Sequence, residues 1–310
     1  MTIRIIKKIF SRLYLKYFNK PTGIIYMLHR VCPFESEKLA PNENMKITPE
    51  FLDSFILQNK EKYEFVSLDE VELIFKRKRK YKKPFIAFTL DDGYLDNYLN
   101  AFPIFSKHNV PFSVYIATDF PDKKAILWWY QLEDIIINNN QIHLSNGEIF
   151  DCKTIDTKID AFMQIRKIIL ELPTLGFQKK FELLFSNYEL NLKQYILNLA
   201  LSWEQINEMS KNPLCTIGAH TITHRRLSQL NEEELVTEIV ESKKLIEKKT
   251  GKRVLHFSYP FGTSFEVNDK VVDNVKLAGF RTSTFAEGGI IRKHDKDTFR
   301  LKRIMLIQVQ

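Results

Sequence analysis

Two adjacent carboxylates, Asp91 and Asp92, directly follow an apolar run and are themselves followed by Gly93. The run, Phe85–Leu90, consists of β-forming residues that end at a turn, which is typical of a buried strand. Two neighbouring carboxylates repel each other unless a cation or a shared proton relieves the repulsion. The pair therefore indicates a catalytic or metal site at the end of a strand.

His220 and His224 lie four residues apart and can bind one metal ion if the backbone between them turns helically. The spacing alone is weak, because it also arises by chance. However, His220 ends a predicted strand, as the two carboxylates do, and strands of α/β barrels end at the face that holds the active site. One carboxylate and two imidazoles form a facial ligand set for Zn²⁺ or a similar divalent ion.

A third motif, Ser258-Tyr259-Pro260-Phe261-Gly262, follows another predicted strand. A strand that ends in Pro-x-Gly makes a tight turn with free backbone N–H groups. One interpretation is an ordinary turn. The other is an N–H directed at an oxyanion that develops during catalysis.

A fold of alternating strands and helices would bring these motifs together, and the sequence predicts such an alternation. The alternation argues for a parallel sheet, and the number of units favours a closed barrel over an open sheet. Residues 121–210 interrupt the rhythm, and we interpret them as a mostly helical insertion over one end of the barrel. In it, Trp128 and Trp129 are interpreted as packing residues, with a sugar-binding platform as the alternative. The predicted strands are Ile24–Leu28, Val66–Leu68, Phe85–Leu90, Ser113–Thr118, Thr216–Ala219, Leu255–Tyr259 and Phe280–Phe285.

Composition places the chain among ordinary globular proteins. It has 310 residues, of which 44% are hydrophobic and 27% charged. The net charge of +8 favours anionic surroundings without selecting among them, and we expect no nucleic-acid partner. The three cysteines, Cys32, Cys152 and Cys215, show neither a disulfide framework nor a thiolate zinc pattern. With no secretory signal or membrane-spanning run recognised, we expect a reducing, cytoplasmic location.

Residues 1–20 have the pattern of a basic amphipathic helix, with an apolar face opposite a cationic stripe. Such a helix suits either an anionic membrane surface, giving a peripheral position on the inner face, or packing against the protein itself. The stripe consists of Arg4, Lys8, Arg12, Lys16 and Lys20.

With its three motifs in this order, the chain resembles the polysaccharide deacetylases, the carbohydrate esterases with a NodB-homology domain. Thr89–Gly93 matches the first motif, usually Thr-Phe-Asp-Asp-Gly, and His220–His224 matches the His-Ser/Thr-x-x-His motif. Ser258–Gly262 matches the third motif in the branch that reads Phe-Ser/Ala-Tyr-Pro-Phe/Tyr-Gly. The resemblance covers residues 22–310 and implies a distorted (β/α)₇ barrel, an α/β fold that would contain the helical insertion.

By position, the resemblance implies that Asp92, His220 and His224 hold a divalent metal ion. Zn²⁺ is the expected ion, with Co²⁺, Ni²⁺ or Mn²⁺ as alternatives. It further implies that Asp91 is the general base and that the N–H of Phe261 stabilises a tetrahedral oxyanion. The candidate substrate-binding residues are Tyr94, Tyr259 and Pro260.

The sequence departs from the family pattern in two places. Ser258 stands where an arginine usually orients the base, and Arg303 is the candidate substitute, a surface arginine being the alternative. The usual C-terminal Leu-x-x-His-Asp, the source of the general acid, is absent. In permuted members this histidine lies on the first strand, where His29 fits, although Arg30 replaces the aspartate that follows it.

These features predict a metal-dependent hydrolase that removes an N-acetyl group from an amino sugar of a glycan or of a lipid-linked glycan intermediate in surface polysaccharide synthesis. One alternative is a related amidohydrolase acting on a small non-sugar amide, and another is a catalytically silent glycan-binding protein. An aromatic groove open at both ends would favour the glycan, whereas a closed pocket would favour the small amide.

Overall fold

The protein is described by a computed structural model over residues 21–173 and 175–308. The helix predicted over residues 1–20 lies outside the described residues. The strands are β1 (Pro21–Leu28), β2 (Arg30–Val31), β3 (Lys46–Ile47), β4 (Glu64–Phe65), β5 (Phe85–Leu90), β6 (Phe112–Ile116), β7 (Gln141–His143), β8 (Ile149–Asp151), β9 (Cys215–Ala219), β10 (His256–Ser258), β11 (Thr282–Gly288), β12 (Ile291–Arg292) and β13 (Leu301–Met305).

Seven strands close into a parallel barrel in the order β1, β5, β6, β9, β10, β11 and β13, with β13 returning to β1. All of β5 is buried, and β1 pairs with it along its whole length. The short strand β4 pairs with the first two residues of β5, and β6 pairs with the last three, so they share one edge and distort the barrel. The predicted distorted (β/α)₇ barrel is confirmed.

Helices surround the barrel, and local sequence sets their ends. Asn231 and Glu234 exchange capping hydrogen bonds at the start of the longest helix, and Gly251 ends it with φ of 66°, a left-handed conformation that suits glycine. None of the described helices is both long and apolar enough to cross a bilayer. The helices are α1 (Ala40–Glu43), α2 (Pro49–Asn59), α3 (Leu68–Phe75), α4 (Phe102–Lys107), α5 (Trp128–Ile137), α6 (Ile155–Glu171), α7 (Phe177–Leu184), α8 (Leu192–Leu199), α9 (Trp203–Lys211), α10 (Glu232–Thr250) and α11 (Asp269–Leu277).

The segment between β6 and β9 has a hydrophobic core of its own, built mainly from α5, α6, α7 and the hairpin β7–β8. A smaller buried cluster, which includes Tyr94, Phe120 and Tyr130, joins it to the barrel. Helix α9 differs, because its buried Ile206 and Met209 belong to the barrel core. The elements with a separate core therefore run from α5 to α7, within the predicted insertion.

The strand predicted at Val66–Leu68 is wrong in its position. The strand there is β4, two residues earlier, and Leu68 begins α3. Ser67 is the reason, because its hydroxyl accepts the N–H of Glu70 while the Glu70 carboxylate accepts the N–H of Ser67. This capping box starts a helix where the apolar pattern suggested a strand.

Candidate functional site

The motif residues follow the carboxyl ends of barrel strands. His29 follows β1, Asp91 and Asp92 follow β5, His220 follows β9, and Ser258 is the last residue of β10. Because these strands are parallel, their carboxyl ends lie at the same end of the barrel. Residues that are far apart in sequence are thereby brought together at one mouth.

Asp92, His220 and His224 converge on a common point. Asp92 Oδ1 lies 3.3 Å from His220 Nε2 and 3.3 Å from His224 Nε2. This oxygen is buried and has no hydrogen-bond partner among the described residues. The carbonyl oxygen of Ser258 lies 2.8 Å from His220 Nδ1, so that nitrogen carries the proton and Nε2 is left as a lone-pair donor. The donor set and the unpartnered oxygen fit a divalent metal ion.

Burial and mutual charge set the protonation of these three groups. Burial lowers the pKa of His224 to about 4, which leaves this imidazole neutral at pH 7, as a metal ligand must be. Burial opposes ionisation of Asp92, but the neighbouring His224 and His220 outweigh it and hold the pKa of Asp92 below its ordinary value. Burial likewise opposes the charge on His220, but Asp92 and Asp91 raise the pKa of His220 overall.

Arg303 forms a bidentate ion pair with Asp91, the other carboxylate of the pair. Its Nη1 donates to Asp91 Oδ1 at 2.8 Å and its Nη2 donates to Asp91 Oδ2 at 2.7 Å. Arg303 is only 1% exposed, and its remaining donors are bonded to Phe285 O and Thr89 Oγ1. The alternative of a surface arginine is therefore excluded. A bidentate pair of this kind fixes the carboxylate in both position and plane.

Ser258 completes the contacts around Asp91. Its hydroxyl donates to Asp91 Oδ2 at 3.2 Å and accepts from Arg303 Nη2 at 3.0 Å. The small serine leaves room for a guanidinium that arrives from β13, two strands away in the barrel. Sequence reasoning recognised Ser258 as a departure from the family pattern, but missed this contact with the carboxylate.

The ion pair also decides the charge of Asp91. Burial acts to raise the pKa of this carboxyl, but the charge and hydrogen bonds of Arg303 outweigh burial and lower the pKa overall. Asp91 is therefore an anion at neutral pH, although it is only 3% exposed.

His29 lies at the same mouth and is held through its backbone. Its carbonyl oxygen accepts from Asn97 Nδ2 at 2.9 Å, and its Nδ1 is buried with no hydrogen-bond partner among the described residues. Arg30, which replaces the family's aspartate, instead pairs with Asp96 at 2.6 Å and donates to Tyr130 Oη at 2.7 Å. Arg30 therefore stabilises the segment after β1 through groups other than the imidazole.

Phe261 presents a backbone donor beside the histidines. Its φ is 61°, and its N–H donates to no acceptor among the described residues. Its ring lies 4.9 Å from the ring of His224. The turn thus leaves an N–H without a described acceptor on a residue whose ring packs against His224, and the oxyanion role of that N–H stays a prediction.

A sequence profile described as "Polysaccharide deacetylase" matches residues 150–283. The matched stretch contains His220, His224 and Ser258, and the carboxylate pair lies before it. Over these residues the chain is similar to the polysaccharide deacetylases. Deacetylation of a glycan is the activity for which that family is named. No curated protein sequence matches the chain significantly.

Solved structures share the fold of this chain over nearly its full length. The deacetylase PplD of Streptococcus pyogenes, in complex with acetate, has a TM-score of 0.62 at 18% identity, with 93% of this chain and 94% of that chain covered. IcaB from Ammonifex degensii has a TM-score of 0.58 at 16% identity, covering 93% and 92%. BC0361, a polysaccharide deacetylase from Bacillus cereus, has a TM-score of 0.58 at 19% identity, covering 93% and 66%.

Two clefts open at the end of the barrel where Asp92, His220 and His224 converge. The larger, of about 720 Å³, contains His29, the carboxylate pair, both histidines and Tyr94. The smaller, of about 310 Å³, lies between the insertion and the segment after β9. Both clefts are lined by Trp128, Trp129, His224 and Phe261, so they lie side by side in one groove region beside the candidate metal ligands.

Trp129 packs against the core of the insertion, as the sequence interpretation expected, and it also lines both clefts, as the alternative of a sugar platform requires. It is only half-buried, and its ring lies 6.1 Å from the His224 ring, edge to face. Trp128 is 7% exposed and packs in the core of the insertion, as the sequence interpretation expected.

The structure gives different places to the three candidate substrate-binding residues. Tyr94 lines the larger cleft. Tyr259 also borders it, but is 1% exposed, and its hydroxyl is bonded to Ser283 Oγ and Phe299 O. Pro260 is buried and lines neither cleft. The side chains of Tyr259 and Pro260 therefore pack within the turn that carries Phe261, and their role as substrate contacts stays a prediction.

Proposed function

We propose that this protein is a metal-dependent N-deacetylase that acts on an N-acetylated amino sugar of a glycan, releasing a free amine and acetate. The proposal rests on one observation: the two adjacent carboxylates have different partners. Asp92 faces two imidazoles as a metal ligand, whereas Asp91 is clamped by Arg303 as an ionised base.

Asp92, His220 and His224 would hold the metal ion, with Zn²⁺ as the expected ion. A divalent ion there would supply Lewis-acid chemistry, lowering the pKa of a water and polarising the amide carbonyl. The Ser258 carbonyl holds His220 Nδ1, which orients the imidazole toward that position.

Three further groups would act on the reacting atoms. Asp91 would take a proton from the attacking water, since it is ionised and held beside the ligands. The N–H of Phe261 would donate to the oxyanion that develops on the acetyl carbon's oxygen. His29, which lines the same cleft as the carboxylates, would protonate the departing amine.

The shape of the groove supports a glycan over a small amide. The two clefts adjoin at His224 and Phe261, so they offer space for sugar units on both sides of the reacting acetamide. Trp129 offers a partly exposed indole face or edge to a sugar ring, an amphipathic partner of the kind that suits sugars.

We further propose that the substrate is reached at the cytoplasmic face of the membrane, as a lipid-linked glycan intermediate. The support is the basic amphipathic pattern of residues 1–20 together with the net charge of +8. Deleting residues 1–20 is expected to abolish co-sedimentation with anionic vesicles and to leave turnover of a soluble acetylated oligosaccharide intact. Unchanged co-sedimentation would refute this part of the proposal.

The deacetylase proposal is tested by incubating purified protein with N-acetylated amino-sugar oligomers and lipid-linked acetamido sugars, and following loss of acetyl groups by mass spectrometry. Metal analysis of the same protein and the Asp91→Asn variant complete the test. We expect turnover by the wild type, and bound metal without turnover in the variant. Glycan binding without turnover in the wild type would instead favour the silent binding protein.

A further inference from the structure

The loop from His220 to His224 contains two residues in an unfavourable backbone conformation. Thr221 and His224 have φ values of 70° and 57°, in the left-handed region that is unfavourable for residues other than glycine. For the β-branched Thr221 this is a marked outlier. Such conformations persist only where surrounding contacts impose them, so the loop must be fixed from outside.

Glu238, on α10, supplies that fixation. Its Oε2 accepts the N–H of Ile222 at 2.8 Å and the N–H of Thr223 at 3.0 Å, and its Oε1 accepts the hydroxyl of Thr223 at 2.5 Å. Glu238 is 5% exposed, and no described cationic side chain forms an ion pair with it. A buried carboxylate is normally paired with a cation. Glu238 is unusual because its partners are instead the N–H groups and a hydroxyl of one loop.

The rest of the loop is tied down from the opposite side. Its carbonyl oxygens at Thr221 and Ile222 accept the N–H groups of Thr118 and Asp119, which follow β6, at 3.1 and 2.9 Å. Within the loop, the N–H of His224 donates to Thr221 Oγ1 at 3.0 Å. The loop carbonyls are thus held by the segment after β6, and two loop N–H groups by Glu238 alone.

The negative charge of Glu238 is also visible in a neighbour. Burial, and next the carboxylate of Glu238, raise the pKa of Asp119 to about 6. Lys124 and Arg225 act to lower this pKa, but they do not outweigh the effects of burial and of Glu238.

We propose that Glu238 is a positioning residue of the metal site, which holds the loop so that the His224 imidazole meets Asp92 and His220. This inference rests on the proposed metal-dependent function. Because Glu238 touches neither metal ligands nor substrate, it acts only through the loop. Its loss releases one histidine of the three ligands and leaves the barrel-borne Asp92 and His220 in place.

The test compares Glu238→Ala, Glu238→Gln and Thr223→Val with a matched control, Glu241→Gln. Glu241 lies on the same helix, is about half-exposed and pairs with Lys244. For each variant, the dissociation constant for Zn²⁺ is measured by competition with a chelator, and the visible spectrum of the Co²⁺-loaded protein is recorded. Thermal unfolding of the metal-free proteins reports stability separately.

We expect Glu238→Ala to weaken metal binding by about tenfold or more, the range found for groups that support metal ligands, and to alter the Co²⁺ spectrum. Glu238→Gln, which keeps an acceptor for the loop N–H groups, should lose less. Thr223→Val, which removes only the hydroxyl donor, should show a smaller loss in the same direction, and Glu241→Gln should match the wild type.

A folded Glu238→Ala with wild-type metal affinity and spectrum would overturn the inference, even if its stability fell. If Glu238→Ala does not fold, Thr223→Val decides, and unchanged affinity in that variant overturns the inference. A wild-type protein that binds no metal would instead refute the proposed function, and this outcome is visible before any variant is made.

Discussion

Arg303 and Asp91, 212 residues apart in the chain, form a bidentate ion pair at the mouth of the barrel, with N–O distances of 2.8 and 2.7 Å. The pair holds Asp91 in one plane beside Asp92. This geometry leads to the first two predictions below.

Replacing Arg303 with lysine should lower kcat for deacetylation by about a hundredfold, because a single ammonium cannot hold both carboxylate oxygens and a small misplacement of a catalytic group is costly. Zn²⁺ affinity should stay at the wild-type value, since Arg303 contacts none of the three ligands. Steady-state kinetics and a metal titration measure the two quantities, with Arg300→Lys as the exposed control. Wild-type kcat in Arg303→Lys would contradict the orienting role.

Moving the arginine to the family's usual place should partly restore the site. Ser258→Arg alone should lower the free energy of unfolding by about 1–3 kcal/mol, because a second guanidinium must enter a filled, buried space. The double variant Ser258→Arg/Arg303→Ser should be more stable and more active than the sum of the single changes allows. Urea denaturation and kinetics of all four proteins test this, and strict additivity would show that the two positions do not substitute for each other.

Metal should stabilise the folded protein through Asp92. A ligand that binds only the native state raises stability, by about 2.7 kcal/mol at a hundredfold excess over its dissociation constant. We expect Zn²⁺ to raise the Tm of the wild type, chelator to reverse the increase, and Asp92→Asn to show little response. An equal increase in Asp92→Asn would place the bound metal elsewhere.

Trp129→Ala should raise KM for an acetylated oligosaccharide about tenfold and change kcat little, because the indole lies in the groove wall and not among the reacting groups. Trp129→Phe should retain most of the affinity, since an aromatic surface remains. The same variants should be compared on an acetylated monosaccharide, which fills only one cleft, and there the KM should change less. A loss confined to kcat, with KM unchanged, would argue against a binding role.

Asp119 should make stability depend on pH. Its pKa is raised to about 6 in the folded protein, so the folded state binds its proton more tightly than the unfolded state does. Stability from this group is therefore greatest at low pH and falls as pH rises from about 4 to about 6. Asp119→Asn should unfold at a higher temperature than the wild type at pH 8, with the difference vanishing near pH 4.

Asp122 is the control for this prediction, because its pKa is shifted in the opposite direction from that of Asp119. The pKa of Asp122 is lowered, because the hydrogen bonds from Trp203 and Lys124 outweigh the effect of burial. Asp122→Asn should therefore be less stable than the wild type at pH 8. Equal pH profiles for the wild type and both variants would contradict the assignment.

The sequence was sufficient to predict those site residues that directly follow a strand. Asp92 and His220 each follow an apolar strand, so a parallel barrel brings them to one mouth, and the fold class followed from the same alternation. Arg303 could be named only as a candidate, because it reaches Asp91 through the pairing of β13 with β1 and β11, which leaves no local pattern in the sequence.

Other features depend on tertiary contacts that a sequence pattern does not record. The place of Trp129 depends on how the insertion packs over the barrel, and hydrophobic character does not separate a core tryptophan from one in a groove wall. Tyr259 and Pro260 belong to a recognised motif and pack within its turn, and motif membership does not distinguish a contact from its scaffold. Glu238 lies on a helix with several other acids, and only the hydrogen bonds of the folded loop single it out.

The closure of the barrel by β13 also concerns how the enzyme becomes active. The three metal ligands come from strands that a chain ending before residue 301 still contains, whereas the arginine that orients the base arrives with the strand that completes the ring. In the proposed mechanism, the candidate ligands alone are therefore not sufficient, because the base is oriented only once this last strand is in place.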